Sequence, residues 1–254
     1  MMHGFLGTIE GWNYIIPNLS DNHRIAAYDR LAFGLTERPD ITGEINPYTP
    51  EKAEERALKL IDELNFDKPV LVGHSAGGNL ALRLALKNPG GYSGLVLISP
   101  AIFNNGPPGF VRFFLKMGIF EQAGLNTVRG LPDRFDEFLA QAYYRPEDVP
   151  EWVIESYKKP LKAENWDRAL WEYTKAQTGS DMKRRLEEIE LPILIIHGRE
   201  DEVVPVKDSI RAAAKLPDVR LVIIEECGHA AYEEKPEQTI EAIKDFLGSI
   251  GTRQ

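Results

Sequence analysis

Short runs of β-branched residues and leucine alternate along this chain with longer helical patterns, and that alternation limits the fold more than any other feature. Each short run has the length of a buried strand, and each longer pattern can cross back over a sheet. Strands joined by crossover helices form a parallel sheet with helices on its faces, so the sequence predicts an α/β fold. The predicted strands are residues 24–28, 69–72, 95–98, 192–196 and 220–224, and the predicted helices are residues 49–64, 79–87, 206–215 and 236–250.

The alternation stops between residues 101 and 182, where several helical patterns follow one another without a strand. We therefore predict a core of residues 1–100 and 183–254 and a helical cap, or lid, of residues 101–182. More than half of the aromatic residues fall in this insertion. A lid over a site and an all-helical unit with its own core both explain that enrichment, and the two explanations are compatible.

Size, charge and cysteine content narrow the classes of function. A chain of 254 residues can bury a large core without disulfides, and its one cysteine, Cys227, cannot form an internal bridge. The net charge of −9 disfavours nucleic acid and anionic membranes as partners, because both require a basic surface on the protein. No apolar stretch has the length of a membrane span, and the first residues lack the features of a signal peptide. We expect a cytoplasmic protein.

The run Gly73-His74-Ser75-Ala76-Gly77 follows a predicted strand and precedes a helix rich in leucine and alanine. A G-x-S-x-G pattern in that context is typical of a sharp strand-to-helix turn that lifts a serine hydroxyl out of the sheet. Glycines suit both ends, because a side chain there would collide with the neighbouring strand or helix. Ser75 is therefore the candidate nucleophile, and the alternative is a serine that only caps the helix.

A serine nucleophile needs a general base, and the base needs a carboxylate that orients it. His229 lies in a loop after the last predicted strand, and Asp201 lies just beyond the preceding strand. The chain order of serine, acid and histidine suits this architecture, and all three residues lie where open parallel sheets place their sites. Glu200 and Glu202 are the alternatives for the acid.

Four blocks of the sequence resemble the α/β-hydrolase superfamily, and the resemblance covers almost the whole chain. The blocks are His3-Gly4-Phe5, residues 29–34, the serine turn, and the paired segments 197–205 and 228–237. They are similar to the cap-bearing branch of esterases, lactonases and carbon–carbon bond hydrolases. The resemblance implies the α/β-hydrolase fold, and the serine separates the chain from epoxide hydrolases and haloalkane dehalogenases, whose nucleophile is an aspartate.

The resemblance also implies supporting roles. The backbone N–H groups of Phe5 and Ala76 would form the oxyanion hole, with the alternative that Phe5 only anchors the N-terminal segment. His74 is expected to support the turn, because the residue before the serine cannot easily face its hydroxyl. His3 and His197 are expected to be structural. No cofactor and no metal are expected.

The sequence indicates the substrate less specifically. Aromatic and methionine side chains of the insertion could line an acyl or aromatic pocket, although their spacing also suits helices that pack on their neighbours. These residues are Phe103, Phe110, Phe113, Phe114, Met117 and Phe120. No cluster of basic residues marks a site for a carboxylate.

We expect a serine hydrolase that cleaves carboxylic esters of small to medium apolar substrates. A lactonase and a carbon–carbon bond hydrolase, each with the same three residues, are the alternatives within this chemistry. A small-molecule receptor with vestigial hydrolase activity is the alternative from another class of function.

The chain departs from the usual pattern of the family at its start. Relatives carry two antiparallel strands and a further strand before the His-Gly motif, which here begins at residue 3. The usual first strands are therefore expected to be missing: either the chain is shortened at its start, or the sheet is smaller than usual and exposes an edge. Because an exposed edge can pair with a second copy of the chain, a homodimer is expected.

Overall fold

Four strands form one parallel sheet in the computed structural model, which describes residues 1–41, 45–103, 120–177 and 181–251. In this sheet Gly73 pairs with Leu97 and Ile98 pairs with Ile196, so the carboxyl ends of the strands share one edge. The predicted α/β fold with a parallel sheet is confirmed. The strands lie side by side in chain order and are β1 (Val70–His74), β2 (Gly94–Ile98), β3 (Ile193–Gly198) and β4 (Val219–Ile224).

The first predicted strand, residues 24–28, is wrong as a regular element. Within that range only Tyr28 forms a β-bridge, a single parallel one to Met2, and Met2 bridges Gly73 of β1 on its other side. Met2 also exchanges two backbone hydrogen bonds with the segment around β1, at 2.8 and 3.0 Å. The sheet therefore extends beyond β1 through single residues of two segments. The homodimer expected from an exposed edge stays a prediction.

Helices cover both faces of the sheet and fill the segment between β2 and β3. The predicted helix at residues 49–64 begins after Thr49, whose hydroxyl accepts the Lys52 amide at 3.3 Å. The other three predicted helices match the structure to within one turn. The α-helices of the described residues are α1 (Ile15–Leu19), α2 (Pro50–Glu63), α3 (Ala76–Lys87), α4 (Glu121–Arg129), α5 (Phe135–Ala142), α6 (Glu151–Lys158), α7 (Trp166–Ala176), α8 (Met182–Arg185), α9 (Val206–Ala213), α10 (Ala231–Glu234) and α11 (Pro236–Gly251). Short 3₁₀ helices lie at Ile9–Asn13, Pro132–Arg134, Pro146–Asp148, Lys159–Lys162 and Leu186–Glu188.

Alternate residues of the central strands face two separate apolar cores. Leu95 and Leu97 of β2 belong to the core that includes residues of α2, α3 and α9. Val96 and Ile98 belong to the other core, which includes residues of α1, α11 and the helical insertion. Every residue of β2 and β3 is buried. Strands buried on both faces have continuous apolar sequences, and such runs identify β2 and β3 in the sequence.

Within the described residues, the segment between β2 and β3 consists of helices and the loops that join them, without a strand. Its aromatic residues pack on one another, and the rings of Phe138 and Tyr157 lie 5.9 Å apart. Helices α4 and α7 approach so closely that a Cβ on Gly124 would lie only 2.1 Å from the indole of Trp171. The insertion therefore has internal packing of its own. Its boundaries at residues 101 and 182 and its role as a cap stay predictions.

No helix in the described ranges is both long and apolar enough to cross a membrane. The cytoplasmic location stays a prediction.

Candidate active site

Ser75 occupies the turn between β1 and α3. Its backbone has φ +51° and ψ −115°, a conformation that residues other than glycine rarely adopt. Its amide donates to the Ile98 carbonyl at 2.9 Å, and its carbonyl accepts the amides of Asn79 and Ala101, both at 3.1 Å. These bonds hold the strained residue in place. Strain that the surrounding structure enforces is typical of functional turns.

The two glycines of the turn lie where no side chain fits. A Cβ on Gly73 would lie 2.4 Å from the carbonyl oxygen of Gly77, and a Cβ on Gly77 would lie 2.1 Å from the carbonyl oxygen of Met2. Both contacts are with backbone atoms, which cannot move aside without displacing the sheet. The steric reason that the sequence suggests for these glycines is therefore present at both positions.

Asp201 and His229 meet beyond the carboxyl ends of β3 and β4. Nδ1 of His229 lies 2.7 Å from Oδ2 of Asp201, whose side chain is fully buried. The other carboxylate oxygen accepts the backbone amides of Val203 and Val204 at 2.9 and 2.8 Å. Burial raises the pKa of Asp201, but hydrogen bonds from His197 and His229 outweigh that effect and hold the pKa well below its usual range. The carboxylate is therefore ionised and orients the imidazole.

The two alternative acids face other groups. Glu200 accepts the backbone amide of Cys227 at 3.0 Å. Glu202 is exposed to solvent. Neither carboxylate forms a hydrogen bond with His229 in the described part of the chain, so the geometry singles out Asp201.

His197 is a second histidine on the Asp201 carboxylate. Its Nε2 lies 3.0 Å from Oδ2 of Asp201 and 2.8 Å from the Val204 carbonyl oxygen, so Nε2 carries the hydrogen. Nδ1 then accepts from the Ser209 hydroxyl at 2.6 Å. His197 thus contacts the candidate acid directly, whereas the sequence predicted a structural role for it without naming this partner. The available signal was the four-residue spacing between the two side chains at the end of a strand.

His74 joins the serine turn to the loop of His229. Its buried ring donates through Nε2 to the backbone carbonyl of His229 at 3.1 Å, and the Tyr232 hydroxyl donates to its Nδ1 at 3.4 Å. Burial holds the pKa of His74 well below its usual range, so the ring is neutral and keeps this tautomer. The residue beside the serine therefore positions the loop that carries His229.

His3 orders the loop that carries Phe5. The Arg30 amide donates to Nε2 of His3 at 2.8 Å, which leaves the ring hydrogen on Nδ1, and Nδ1 donates to the Gly4 carbonyl at 2.8 Å. Burial lowers the pKa of His3 to about 3, so the ring is neutral near pH 7. Gly4 lies so close to the serine turn that a Cβ at this position would be 3.0 Å from Cβ of Ser75. The loop is thereby held beside the serine.

A cavity of about 500 Å³ opens beside Ser75. Phe5 and Ala76, whose amides are predicted to form the oxyanion hole, line this cavity together with the serine. Its volume lies in the range of small-molecule sites. The other lining residues are Arg30, Tyr48, Pro50, Ala53, Asn79, Leu80, Arg83, Ala101, Tyr173, Thr174, Gln177, Val203 and Val204.

Of the residues predicted to form a substrate pocket, none that the structure describes lines this cavity. Phe103 packs instead against the Arg211 guanidinium, 4.4 Å from its ring centre, and joins the core that includes α9, so its assignment to the pocket is corrected. Phe120 is exposed. Outside the described residues lie Phe110, Phe113, Phe114 and Met117. The insertion contributes Tyr173, Thr174 and Gln177 to the cavity instead.

The helical insertion is tied directly to the loop of His229. The Ala142 carbonyl, at the end of α5, accepts the His229 amide at 2.7 Å. The Glu234 carboxylate accepts the amides of Gly228 and Tyr144 at 2.8 and 2.9 Å. The backbone around the histidine is therefore held between the sheet and the insertion.

Glu233 forms a buried polar cluster next to this contact. Its carboxyl group accepts hydrogen bonds from the hydroxyls of Tyr143 and Tyr157, the latter at 3.2 Å. Burial raises the pKa of Glu233 to about 7, although both tyrosine hydrogen bonds act in the opposite direction. No lysine, arginine or histidine among the described residues forms an ion pair with it. Glu233 therefore changes its charge near neutral pH.

A second cavity, of about 200 Å³, lies beside Met1 and between α2 and α11. Its walls are mainly apolar, with Leu60, Ile61 and Leu247 among them, and none of the candidate catalytic residues lines it. The chemistry is therefore assigned to the cavity beside Ser75. Within the described residues, no group of three or more His, Cys, Asp or Glu side chains could hold a metal ion.

The chain matches one family model and is similar to several known proteins. The family model of the alpha/beta hydrolase fold matches residues 1–236. The chain belongs to this family. This alpha/beta hydrolase is 29% identical over 260 residues to the uncharacterized hydrolase YugF of Bacillus subtilis (strain 168), with 97% of this chain and 88% of the relative covered. It is 27% identical over 249 residues to the 2-hydroxymuconate semialdehyde hydrolase of Pseudomonas sp. (strain CF600), with 93% of this chain and 80% of the relative covered.

Solved structures of the family have the same fold. A thermophilic esterase from Thermogutta terrifontis matches this alpha/beta hydrolase with a TM-score of 0.80 at 22% identity, over 98% of this chain and 88% of that one. At that identity the likeness shows the fold alone. The resemblance to the α/β-hydrolase superfamily is confirmed, and the family together with the names of the relatives identifies the protein as a hydrolase.

Proposed function

We propose that the protein is a serine hydrolase that cleaves carboxylic esters of small to medium substrates through an acyl-enzyme on Ser75. The observation that carries the proposal is the 2.7 Å hydrogen bond between Asp201 and His229, on a loop that His74 ties to the serine turn. A base oriented by a buried carboxylate is what a weakly nucleophilic hydroxyl requires.

In the proposed mechanism, each step has a group that performs it. Asp201 keeps the hydrogen of His229 on Nδ1, so Nε2 takes the proton of Ser75 while the serine oxygen attacks the ester carbonyl. The amides of Phe5 and Ala76 donate to the carbonyl oxygen as it gains negative charge. His229 then gives the proton to the departing alkoxide. Water attacks the acyl-enzyme by the same route, which releases the acid and restores the serine.

The size and walls of the cavity support a substrate of modest length. Leu80, Val203 and Val204 give it an apolar wall, and a volume of about 500 Å³ admits an acyl chain of several carbons. Tyr173 and Thr174 of α7 border the same space. In this proposal the helical insertion acts as a cap over the site.

A carbon–carbon bond hydrolase is the second candidate. The same three residues would act on a vinylogous diketone, with a carbon leaving group in place of the alkoxide. The observation in its favour is the relative in Pseudomonas sp. (strain CF600) that is named 2-hydroxymuconate semialdehyde hydrolase. A lactonase would apply the ester mechanism to a cyclic substrate.

Labelling with a fluorophosphonate probe tests the nucleophile. The wild type should be labelled at Ser75, as located by mass spectrometry of its peptides, and Ser75→Ala should remove the label. Ser20→Ala is the matched control, because Ser20 is exposed and its hydroxyl donates only to a nearby backbone carbonyl. Labelling at a different residue, or none in a folded protein, would contradict the proposal.

Turnover separates the candidate functions. Hydrolysis of short p-nitrophenyl esters over many turnovers, lost in Ser75→Ala, supports the esterase. Faster turnover of a 2-hydroxy-6-oxodienoate than of any ester in the panel favours the carbon–carbon bond hydrolase, and faster opening of lactones favours the lactonase. Binding of small molecules without turnover supports the receptor.

A further inference from the structure

The charge of the cavity beside Ser75 is opposite to that of the whole chain. The sequence has 39 acidic and 30 basic residues. Among the described residues that line the cavity, however, the charged ones are Arg30 and Arg83, and none is Asp or Glu. Arginine presents several N–H groups in a plane that matches a carboxylate. Whether either arginine can bind one depends on the partners that it already has.

Arg83 is already neutralised by the chain. Its Nε lies 2.5 Å from a carboxylate oxygen of Glu54, and one terminal nitrogen lies 3.0 Å from Glu51. Neither glutamate lines the cavity. Arg83 therefore adds little net charge to the cavity.

Arg30 has no carboxylate partner among the described residues. Its side chain donates to two neutral oxygens, the His3 carbonyl and the Tyr173 hydroxyl, both at 3.1 Å. Its Nε is buried and has no hydrogen-bond partner in the described part of the chain. The residue is only 7% exposed. A guanidinium has five N–H donors, so several remain unused.

A buried cation without a counterion is energetically unfavourable, because neutral oxygens replace only part of its hydration. The rings of Phe33 and Tyr173 lie 5.6 and 5.7 Å from the guanidinium carbon of Arg30 and offset a further part. Neither ring carries a charge. An anion that enters the cavity beside Ser75, which Arg30 lines, would supply the missing counterion.

We infer that Arg30 binds a carboxylate carried by the substrate, so the preferred esters are small monoanions with a free carboxylate on the acyl chain. The inference rests on the proposed function and specifies its substrate class. A planar carboxylate can accept two N–H groups of the guanidinium at once. The apolar wall of Val203, Val204 and Leu80 would contact the carbon chain between the carboxylate and the scissile ester.

Pairs of esters that differ only in charge test the inference. The p-nitrophenyl monoester of adipate is compared with p-nitrophenyl 6-methylheptanoate, in which an isopropyl group replaces the carboxylate. The p-nitrophenyl monoester of glutarate and p-nitrophenyl 5-methylhexanoate form a second pair. The measured quantity is the ratio of kcat/KM for the anionic and the neutral ester, corrected for hydrolysis without enzyme. The wild type should prefer the anionic ester.

Arg30→Gln should lower this ratio about 10- to 100-fold, the range expected for charge-assisted hydrogen bonds. The variant also weakens the bond to the His3 carbonyl and so slows both esters, but that effect cancels in the ratio. Arg30→Lys keeps the charge and should keep part of the preference.

Arg38→Gln is the matched control. Arg38 donates to the backbone carbonyls of Thr36 and Gly34 and also has a buried Nε without a partner, but it does not line the cavity. Its substitution should leave the ratio unchanged. An absent preference in the wild type, or an equal loss for both esters in Arg30→Gln, would overturn the inference.

Calorimetry with adipate tests the anion site without turnover. Ser75→Ala protein should bind adipate, and the double variant Ser75→Ala/Arg30→Gln should bind it at least about tenfold more weakly. If no ester is hydrolysed, the proposed function fails while this measurement still decides the anion site. Equal affinity of the two proteins for adipate, or no binding by either, contradicts the inference.

Discussion

Replacement of Asp201 by Asn exchanges one oxygen of a fully buried carboxylate for an amide nitrogen that carries two hydrogens. In the wild type, one carboxylate oxygen accepts the backbone amides of Val203 and Val204. The other accepts from the rings of His229 and His197. Asn therefore places its NH₂ group against two donors in either orientation. The backbone amides cannot change, whereas His229 can move its hydrogen to Nε2, so the amide nitrogen is expected to face the two rings.

In that orientation His229 accepts a hydrogen bond through Nδ1 and carries its hydrogen on Nε2, where it cannot take the proton of Ser75. A serine protease loses about 10⁴ in kcat through the corresponding change of tautomer. A loss of that size corresponds to about 5 kcal/mol of activation free energy. His197 loses an acceptor but keeps the Val204 carbonyl at 2.8 Å. We expect the free energy of unfolding to fall by about 1–3 kcal/mol, the usual effect of one unsatisfied buried donor.

The assay measures kcat for p-nitrophenyl butyrate and, separately, the free energy of unfolding in urea. Glu202→Gln is the control, because it also removes one carboxylate charge next to Asp201 but at an exposed side chain. The control should keep both quantities near those of the wild type. Turnover of Asp201→Asn within tenfold of the wild type would refute the role assigned to Asp201, and an unfolded variant would refute the estimate of stability.

Two further predictions concern packing and pH. Gly77→Ala places a Cβ 2.1 Å from the Met2 carbonyl oxygen and should lower the free energy of unfolding in urea by about 3 kcal/mol or more. Gly248→Ala is the control and should be neutral or slightly stabilising, because no atom lies within 4 Å of the added Cβ. Equal effects of the two substitutions would contradict the steric argument. At pH values between its ordinary pKa of 4.5 and its folded-state pKa of about 7, Glu233 is protonated in the folded state and ionised in the unfolded state. Its contribution to the free energy of unfolding therefore falls as the pH rises through this range, by up to about 3 kcal/mol. Glu233→Gln should remove this fall. The free energy of unfolding of the variant minus that of the wild type should therefore be larger at about pH 8 than at about pH 5. If this difference is the same at both pH values, Glu233 does not titrate in this range.

The local sequence pattern was sufficient to predict most of the helices and strands. Strands β2 and β3 are buried on both faces and therefore have continuous apolar sequences, and α2 has a capping threonine and an N-terminal proline. The strand predicted at residues 24–28 failed because a strand needs a neighbour along its length, and in this range only Tyr28 forms a β-bridge, to Met2. A β-branched run does not reveal how much of a partner strand lies beside it.

The sequence did not identify the residues that line the cavity. Phe103 has the composition of a pocket residue but packs against Arg211 in a core. Tyr173 lines the cavity, although nothing in its sequence context distinguishes it from the other aromatic residues of the insertion. Which face of a helix meets a cavity depends on how that helix packs, and periodicity alone does not determine this.

The sequence by itself determined the parallel sheet and the positions of Ser75, Asp201 and His229 at strand ends, because chain order in an α/β fold decides which loops share an edge. Only the tertiary structure decided that His197 shares the carboxylate with His229 and that Arg30 is buried in the cavity wall without a carboxylate partner among the described residues. These relations join side chains far apart in the chain or depend on the packing around a cavity. They arise when the elements pack together, and the four-residue spacing between His197 and Asp201 only indicates that such a contact is possible.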